Sequence, residues 1–373
     1  HFETTDSSLF VDPAVSTPFE PGSTFKIITM ASGLETHTVT PDTTMVDTGS
    51  DLIGGQTIWD WDHKAHGTVT MVDVLAHSLN LGAAFVGRKV GANDLYRFVR
   101  KSGFGQSTGV DLQGESSGIV RYPEAGNWYP IDLSTNSFGQ GLTTTSLQLT
   151  AAIGSVANGG AMMRPYVVQK VVRNGKIEET QPVMTGHPMS PQTAQTLTDM
   201  MVKVIRQGEG NAALIPGYVV AGKTGTASIA EHGVYLKDAT IASFIGFVPA
   251  QNPAFVIYIK IDRPKDTPWG SETAAPLFRT IARELLLYLH VEPTEPMPTA
   301  TPTPLPTTTA AKYTDQSVAA TTVAIQPTAV ASTNRPGVVS SRNAARTVGA
   351  TAVTPTAPRL PVREHATPPP RGR

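Results

Sequence analysis

Apolar positions recur along this chain in blocks whose spacing alternates between helical and strand periods. Pro21-Gly22 marks a turn, and the apolar run after it (Phe25, Ile27, Ile28, Met30) predicts a helix over residues 23 to about 34. Ahead of it, Pro13 and Pro18 predict an irregular lead-in over residues 1–19. Residues 35–67 are rich in Gly, Thr and Asp and predict a long surface excursion with short strands. Val69, Met71, Val72, Val74 and Leu75 predict a helix over 68–79, ending at His77-Ser78-Leu79-Asn80, with further helices over 82–90 and 93–101. A loop from 103 to about 136 follows, then a helix over 145–158 stopped by Gly159-Gly160. Asn174-Gly175 between valine-rich runs predicts a hairpin over 166–180. Ser190 as cap and Pro191 in the first turn open a helix with the stripe Ala194, Leu197, Met201, Val204 and Ile205, which Gly208-Glu209-Gly210 ends. Three strands over 218–228, 239–248 and 254–261, joined by short connections, predict an antiparallel set. A helix over 275–289 closes the domain. The fold class is therefore α+β, an antiparallel sheet flanked by helices.

Composition changes this picture in one place. From about residue 291 to Arg373, proline, threonine and alanine dominate. Such a segment buries too little apolar surface to offset its chain entropy, so it predicts a disordered tail behind a domain over 1–290. Net charge is −1, which argues against nucleic acid as a partner. No cysteine is present, which removes thiolate chemistry and Cys-based zinc sites and is consistent with an extracytoplasmic setting. No apolar run reaches the ~18 residues of a membrane span. The chain begins at His1 instead of Met, and reads as a fragment or processed product whose signal or anchor lies upstream.

Candidate chemistry sits in three short patterns. The first is Ser23-Thr24-Phe25-Lys26 at a helix start, where positions three apart share a face, so the Ser23 hydroxyl and Lys26 ammonium fall within reach. A serine becomes a nucleophile only when a base takes its proton, and lysine serves only if its pKa falls by roughly 3 units from about 10.4. Burial beside other cations pushes that way, and a helix N-terminus offers backbone N–H groups to an oxyanion. The second is Ser78-Leu79-Asn80 between helices, a hydroxyl and a carboxamide able to point into one cleft. The third is Lys223-Thr224-Gly225-Thr226 on a strand: a cation, two hydroxyls able to hold a carboxylate, and a glycine permitting close backbone approach. Alone, each has an ordinary reading as a cap, a turn or a chance tripeptide. In this order, on helix start, loop and strand, they are far more specific. His63 and His66 have no third ligand at a sensible spacing, so no metal site is expected.

Through residues 1–290 the chain resembles the transpeptidase domain of class B penicillin-binding proteins. Besides the trio, the stretches Phe19 to Lys26, Phe104-Gly105-Gln106, Phe138-Gly139-Gln140-Gly141, Ala157-Asn158-Gly159-Gly160 and Ala274 to Arg279 are similar to that family's. The resemblance implies acyl transfer from peptidoglycan stem peptides ending in D-Ala-D-Ala, with β-lactams as covalent inhibitors and no cofactor. It assigns Ser23 as nucleophile, Lys26 as base in acylation and Ser78 as proton relay to the leaving D-Ala. Asn80 would hold Lys26 and a substrate amide, Lys223 would set the cleft's potential, and Thr224, Gly225 and Thr226 would receive the substrate's carboxylate end. The backbone N–H groups of Ser23 and Thr226 would form the oxyanion hole. The implied setting is the outer face of a bacterial plasma membrane, with a membrane glycosyltransferase and divisome or elongasome proteins as partners. The middle motif, Ser78-Leu79-Asn80, departs from the commoner Ser-Ser-Asn or Ser-Ser/Cys-Asp, although its functional first and third positions survive. Relatives carry two further strands and a helix ahead of the nucleophile helix. Three of five sheet strands are thus expected, with strand 254–261 an unpaired apolar edge and poor stability for the isolated piece.

Two rivals share the trio. A serine β-lactamase or D,D-carboxypeptidase hands the acyl group to water and needs a deacylating base; Glu115 and Glu124 fall between the second and third motifs, but in no context resembling that of class A enzymes. A non-catalytic β-lactam sensor or scaffold would carry the trio with little of the flanking sequence.

Overall fold

The structure is a computed structural model that describes residues 11–231 and 234–297. Helix α1 is a single turn, Pro13–Ser16; α2 spans Lys26–Glu35. Short strands β1 (Thr44–Asp47), β2 (Ser50–Ile53), β3 (Gln56–Trp59) and β4 (Gly67–Thr70) come next, then α3 (Met71–Ala76), α4 (Asn80–Val90) and α5 (Ala92–Lys101). Helices α6 (Pro130–Ser137) and α7 (Ser146–Ala157) precede four more short strands, β5 (Met162–Met163), β6 (Lys170–Arg173), β7 (Lys176–Glu179) and β8 (Met184–Gly186). Helix α8 (Pro191–Gln207), strands β9 (Ala221–Glu231), β10 (Val234–Val248) and β11 (Phe255–Asp262), and helix α9 (Ala274–Tyr288) complete the fold.

The central sheet runs β11-β10-β9, antiparallel throughout. One face carries the main core, where α2 and the turn before it, α3, α5, α7 and α8 pack Phe25, Ile28, Met30, Leu75, Phe98, Ile153, Leu197 and Met201 against Ile245 and Phe247. The other carries α9, whose Phe278 ring lies 4.6 Å from that of Phe244, with Ala282 and Leu286 alongside. Nine of the ten residues of α2 are buried. A helix buried on all sides is held by packing, at about 1.5–3 kcal/mol per large apolar side chain. Lys26, at its head, is the charged exception and is 1% exposed.

The predicted elements hold with shifts at their ends, and four details change. Pro13 opens a one-turn helix where a break was expected, because Asp12 Oδ1 accepts from Ala14 N at 2.9 Å and proline suits the first helical position. The expected helix over 68–79 begins as strand β4, paired with β1, and becomes helical only at Met71, where Thr70 and Asp73 form a capping box. The next helix starts at Asn80, not residue 82. The expected loop before residue 136 contains α6, with Pro130 in its first turn and Asp132 Oδ2 accepting from Tyr129 N at 2.9 Å. The 166–180 hairpin turns at Asn174-Gly175 with both φ angles positive, 50° and 73°, as a tight two-residue turn requires.

Strand β11 pairs with β10 and has no second partner among the described residues. Both its faces are covered: Phe255, Ile257, Ile259 and Ile261 pack on the α9 side, Val256 and Tyr258 on the main core. Residues 291–297 of the expected tail lie on the domain. Thr294 N and Glu295 N donate to Gly217 O at 2.8 and 3.0 Å, and Tyr218 Oη donates to Val291 O at 2.7 Å. The remainder of the tail lies outside the described residues.

Candidate active site

Residues Gly22–Phe25 form one tight 3-10 turn that runs directly into α2 at Lys26. Its seat is specific. Gly22 has a φ of +55°, and a Cβ there would come within 2.9 Å of Ala227 Cβ on β9. A side chain at Gly225 would strike Ser243 Oγ at 2.5 Å and the Thr24 methyl at 2.9 Å, so glycine at 225 first of all lets this turn dock on the strand. From the other side, Gly22 N donates to Gly139 O at 3.0 Å, and Glu20 Oε1 accepts from Gly141 N at 3.0 Å. Ser23 is left half-buried, facing a cleft of about 390 Å³.

The Ser78 turn closes α3. Ser78 N donates to Leu75 O at 3.3 Å and Leu79 N to Val74 O at 3.0 Å, the paired bonds of a Schellman cap. That cap needs a left-handed residue, usually glycine, and Ser78 fills it with a φ of 58°. A serine there costs about 1–2 kcal/mol, so the hydroxyl is kept against local preference. Asn80 then opens α4. Asp60, 1% exposed, caps that helix: its Oδ1 accepts from Asn80 N at 2.5 Å and Leu81 N at 3.1 Å. Burial and the neighbouring Asp47 carboxyl raise the Asp60 pKa to about 6.

Lys26 Nζ binds this turn. It donates to Ser78 O at 2.5 Å, Asn80 Oδ1 at 2.8 Å and Ser78 Oγ at 3.4 Å. The spacing of Ser23 and Lys26 suggested a direct bond between them. Instead all three protons of the ammonium are taken up by the Ser78–Asn80 turn, which offers a buried charge better acceptors than one half-buried hydroxyl. Burial and the charge of Lys223 hold Lys26 well below the ordinary lysine range, while Glu209 and Asp60 pull it back. The Asn80 carboxamide also donates to Trp59 O at 2.8 Å, which fixes its orientation.

The third motif lies on β9, which faces the nucleophile turn. Lys223 is fully buried, and its Nζ donates to Thr224 O and Thr224 Oγ1, both at 3.2 Å. Burial lowers its pKa and Glu209 partly offsets this. Thr224 Oγ1 donates in turn to Glu209 Oε2 at 3.3 Å. Thr226 Oγ1 accepts from Gly270 N at 3.2 Å, which leaves its own proton free to donate into the cleft.

The tertiary structure thus brings all eight predicted residues together. Ser23, Ser78, Asn80, Thr224, Gly225 and Thr226 line the cleft, and Lys26 and Lys223 lie buried behind it. Glu115 and Glu124 lie elsewhere: Glu115 accepts from Thr108 N at 2.7 Å, and Glu124 pairs with Arg100. Sequence reasoning missed Asp60, Trp61, Glu209, Trp269 and Glu272. Asp60 carries no local signal, since a carboxylate in a polar loop reads as solvated, and Glu209 reads only as a helix end. Trp61 and Trp269, with ring centroids 5.5 Å apart, meet across the mouth of the cleft. His66 bonds Asp62 at 3.3 Å, and among the described residues no group of three or more His, Cys, Asp or Glu could hold a metal. A second hollow of about 530 Å³ beside Arg97, Arg100 and Lys101 contains none of the three motifs. A half-buried hydroxyl, a lysine held toward neutrality behind it and a cationic strand opposite are what activation of a serine nucleophile requires.

Comparison with known proteins places these residues in context. The chain matches the family described as the penicillin binding protein transpeptidase domain over residues 3–283. It is 36% identical over 295 residues to stage V sporulation protein D of Bacillus subtilis, covering 76% of this chain and 45% of that protein. It is 37% identical over 300 residues to penicillin-binding protein PbpB of Mycolicibacterium smegmatis, covering 77% and 46%. The chain spans about half the length of these relatives. Among solved structures, apo penicillin-binding protein 3 of Mycobacterium tuberculosis superposes with a TM-score of 0.71 at 36% identity, covering 77% of this chain and 66% of that one. The same protein has been solved with aztreonam, where the TM-score is 0.70.

Proposed function

Because the chain belongs to the penicillin-binding protein transpeptidase family, we propose that it is the catalytic part of a peptidoglycan D,D-transpeptidase working through a serine acyl-enzyme. Lys26, neutral when poised, takes the proton of Ser23. Ser23 Oγ then attacks the carbonyl between the two terminal D-alanines of a stem peptide. The developing oxyanion lies between the backbone N–H groups of Ser23 and Thr226, each such donor being worth about 3–4 kcal/mol in related chemistry. The C–N bond breaks, and the proton reaches the leaving D-Ala through Ser78. An amine of a neighbouring stem peptide next attacks the ester and releases Ser23. Thr226 donates to the terminal carboxylate beside Lys223, and Asn80 holds Lys26. β-Lactams acylate Ser23 by the same route; the relative solved with aztreonam supports this.

The observation that carries the reading is the buried Lys26 ammonium bound at once to Ser78 O and Asn80 Oδ1, behind a serine that lines the cleft. The whole protein would act at the outer face of the bacterial plasma membrane, with a membrane glycosyltransferase and division or elongation proteins. The test is labelling with a fluorescent penicillin, wild type beside Ser23→Ala, followed by intact mass. A stable one-to-one adduct absent from the variant is expected. Rapid nitrocefin turnover would instead make it a β-lactamase, and no adduct in the full-length protein would favour a scaffold.

A further inference from the structure

Glu209 occupies a place that the proposed reaction leaves unused. It follows Gly208 at the end of α8 and is locked there by its backbone: Glu209 N donates to Ala76 O at 3.1 Å, while Gly208 N and Gly210 N donate to Val204 O at 3.1 and 3.2 Å. A Cβ at Gly208 would meet Ala76 O at 2.3 Å, so only glycine lets this turn close on the end of α3. The carboxylate therefore stands on the same helix end that carries Ser78. Its side chain lines the cleft with Ser23, Ser78, Asn80 and Thr224. The Thr224 hydroxyl, which donates to Glu209 Oε2, is also the acceptor for Lys223 Nζ, giving a continuous chain from carboxylate to hydroxyl to ammonium.

We infer that Glu209 is a positioning residue for acyl transfer: it commits the Thr224 hydroxyl to Lys223 and supplies the negative charge that lets two buried lysines divide their roles. Without a counter-charge, two ammonium groups buried in one cleft repel, and both lose their protons at lower pH. With it, Lys223 keeps its charge for the substrate carboxylate while Lys26, lowered by burial and by the charge of Lys223, gives up its proton. A second consequence follows from the same bond. The Thr224 proton points to Glu209, so donation to a substrate carboxylate falls to Thr226. The charged groups that act on Lys26 together with Glu209 are Lys223 on β9 and Asp60 beneath α4, and Glu272 shares the cleft.

This inference rests on the acyl-transfer reading, and its test separates the two. The second-order rate of acylation by a fluorescent penicillin is measured against pH for wild type, Glu209→Gln and Glu209→Asp. Glutamine keeps the shape and the acceptor oxygen but removes the charge. Both limbs of the Glu209→Gln profile should move to lower pH by about 1 unit, the scale of one nearby charge, and aspartate should restore them in part. Superimposable profiles would overturn the inference, as would a uniform fall at every pH, which is what a merely structural role predicts. An adduct that lives longer in Glu209→Gln with unmoved limbs would also overturn it, making Glu209 a base for hydrolysis. Independently of any acylation, titration of ¹³Cε-labelled lysines by NMR should show Lys26 and Lys223 both shifted downward in Glu209→Gln. If those shifts appear in a protein that penicillin never labels, the charge coupling stands and acyl transfer falls.

Discussion

The two walls of the cleft are built by different means. The strand wall, Lys223 to Thr226, is held by the ladder to β10, where Lys223 pairs with Ile245 and Gly225 with Ser243. Its backbone geometry is that of any antiparallel pair, and its side chains alternate without strain. The helical wall, Ser23, Lys26, Ser78 and Asn80, depends on side chains: a serine in a left-handed cap, a buried lysine held by two loop oxygens, and a buried carboxylate under α4. The backbone of the strand wall is unstrained, although that wall too buries a lysine, whereas the helical wall stores backbone strain at Ser78. Relieving the strain at Ser78 should therefore raise stability while activity falls, whereas removing a strand-wall hydroxyl such as that of Thr226 should lower both.

The largest expected effect is at Lys26. Lys26→Met should lower the acylation rate by about 10²–10⁴-fold, the usual contribution of a general base. In the wild type, the rate should climb with pH through a range well below the ordinary lysine value of about 10.4, since only neutral lysine accepts a proton. A profile that rises only near that value would break the assignment. Next comes Ser78→Gly, which should cut acylation about tenfold or more while stabilising the fold by about 1 kcal/mol, because glycine suits the left-handed cap. A melt of wild type and variant side by side checks it; a destabilised Ser78→Gly would remove the claim of stored strain. In the strand wall, Thr226→Val should weaken acylation about tenfold, the worth of one hydrogen bond to a charged group, and should lower the melting temperature slightly because Gly270 N loses its acceptor.

The smallest effect discriminates most finely. The Asp60 carboxyl has a folded pKa of about 6, above its unfolded value, so the folded state binds more protons between the two. Its contribution to stability is therefore best at low pH, declines as pH rises from about 4 to about 6, and stays unfavourable above. Asp60→Asn should keep the cap on Asn80 N and abolish that slope. Urea midpoints at pH 4.5 and 7.5 for both proteins measure it, and an unchanged slope in the variant would assign the titration to another group.

What local sequence could determine here is clear from particular elements. The three strands, their antiparallel order, the hairpin at Asn174-Gly175, and α2, α8 and α9 are legible because apolar period and turn chemistry are local properties. The three motifs were readable for the same reason: each is a short run on one element. Helix α6 had a signal, Pro130 with Asp132 two residues on, that the surrounding polar residues obscured. Tertiary structure alone decided the rest. It bound Lys26 to a turn 52 residues further on, because a buried ammonium goes to the strongest acceptors within reach wherever they lie in the chain. It put Asp60 under α4 and Glu209 against Thr224, and so converted two carboxylates that look solvated in sequence into the charges that poise the cleft. Burial and distance set their effect, and neither is written in the spacing of residues along the chain.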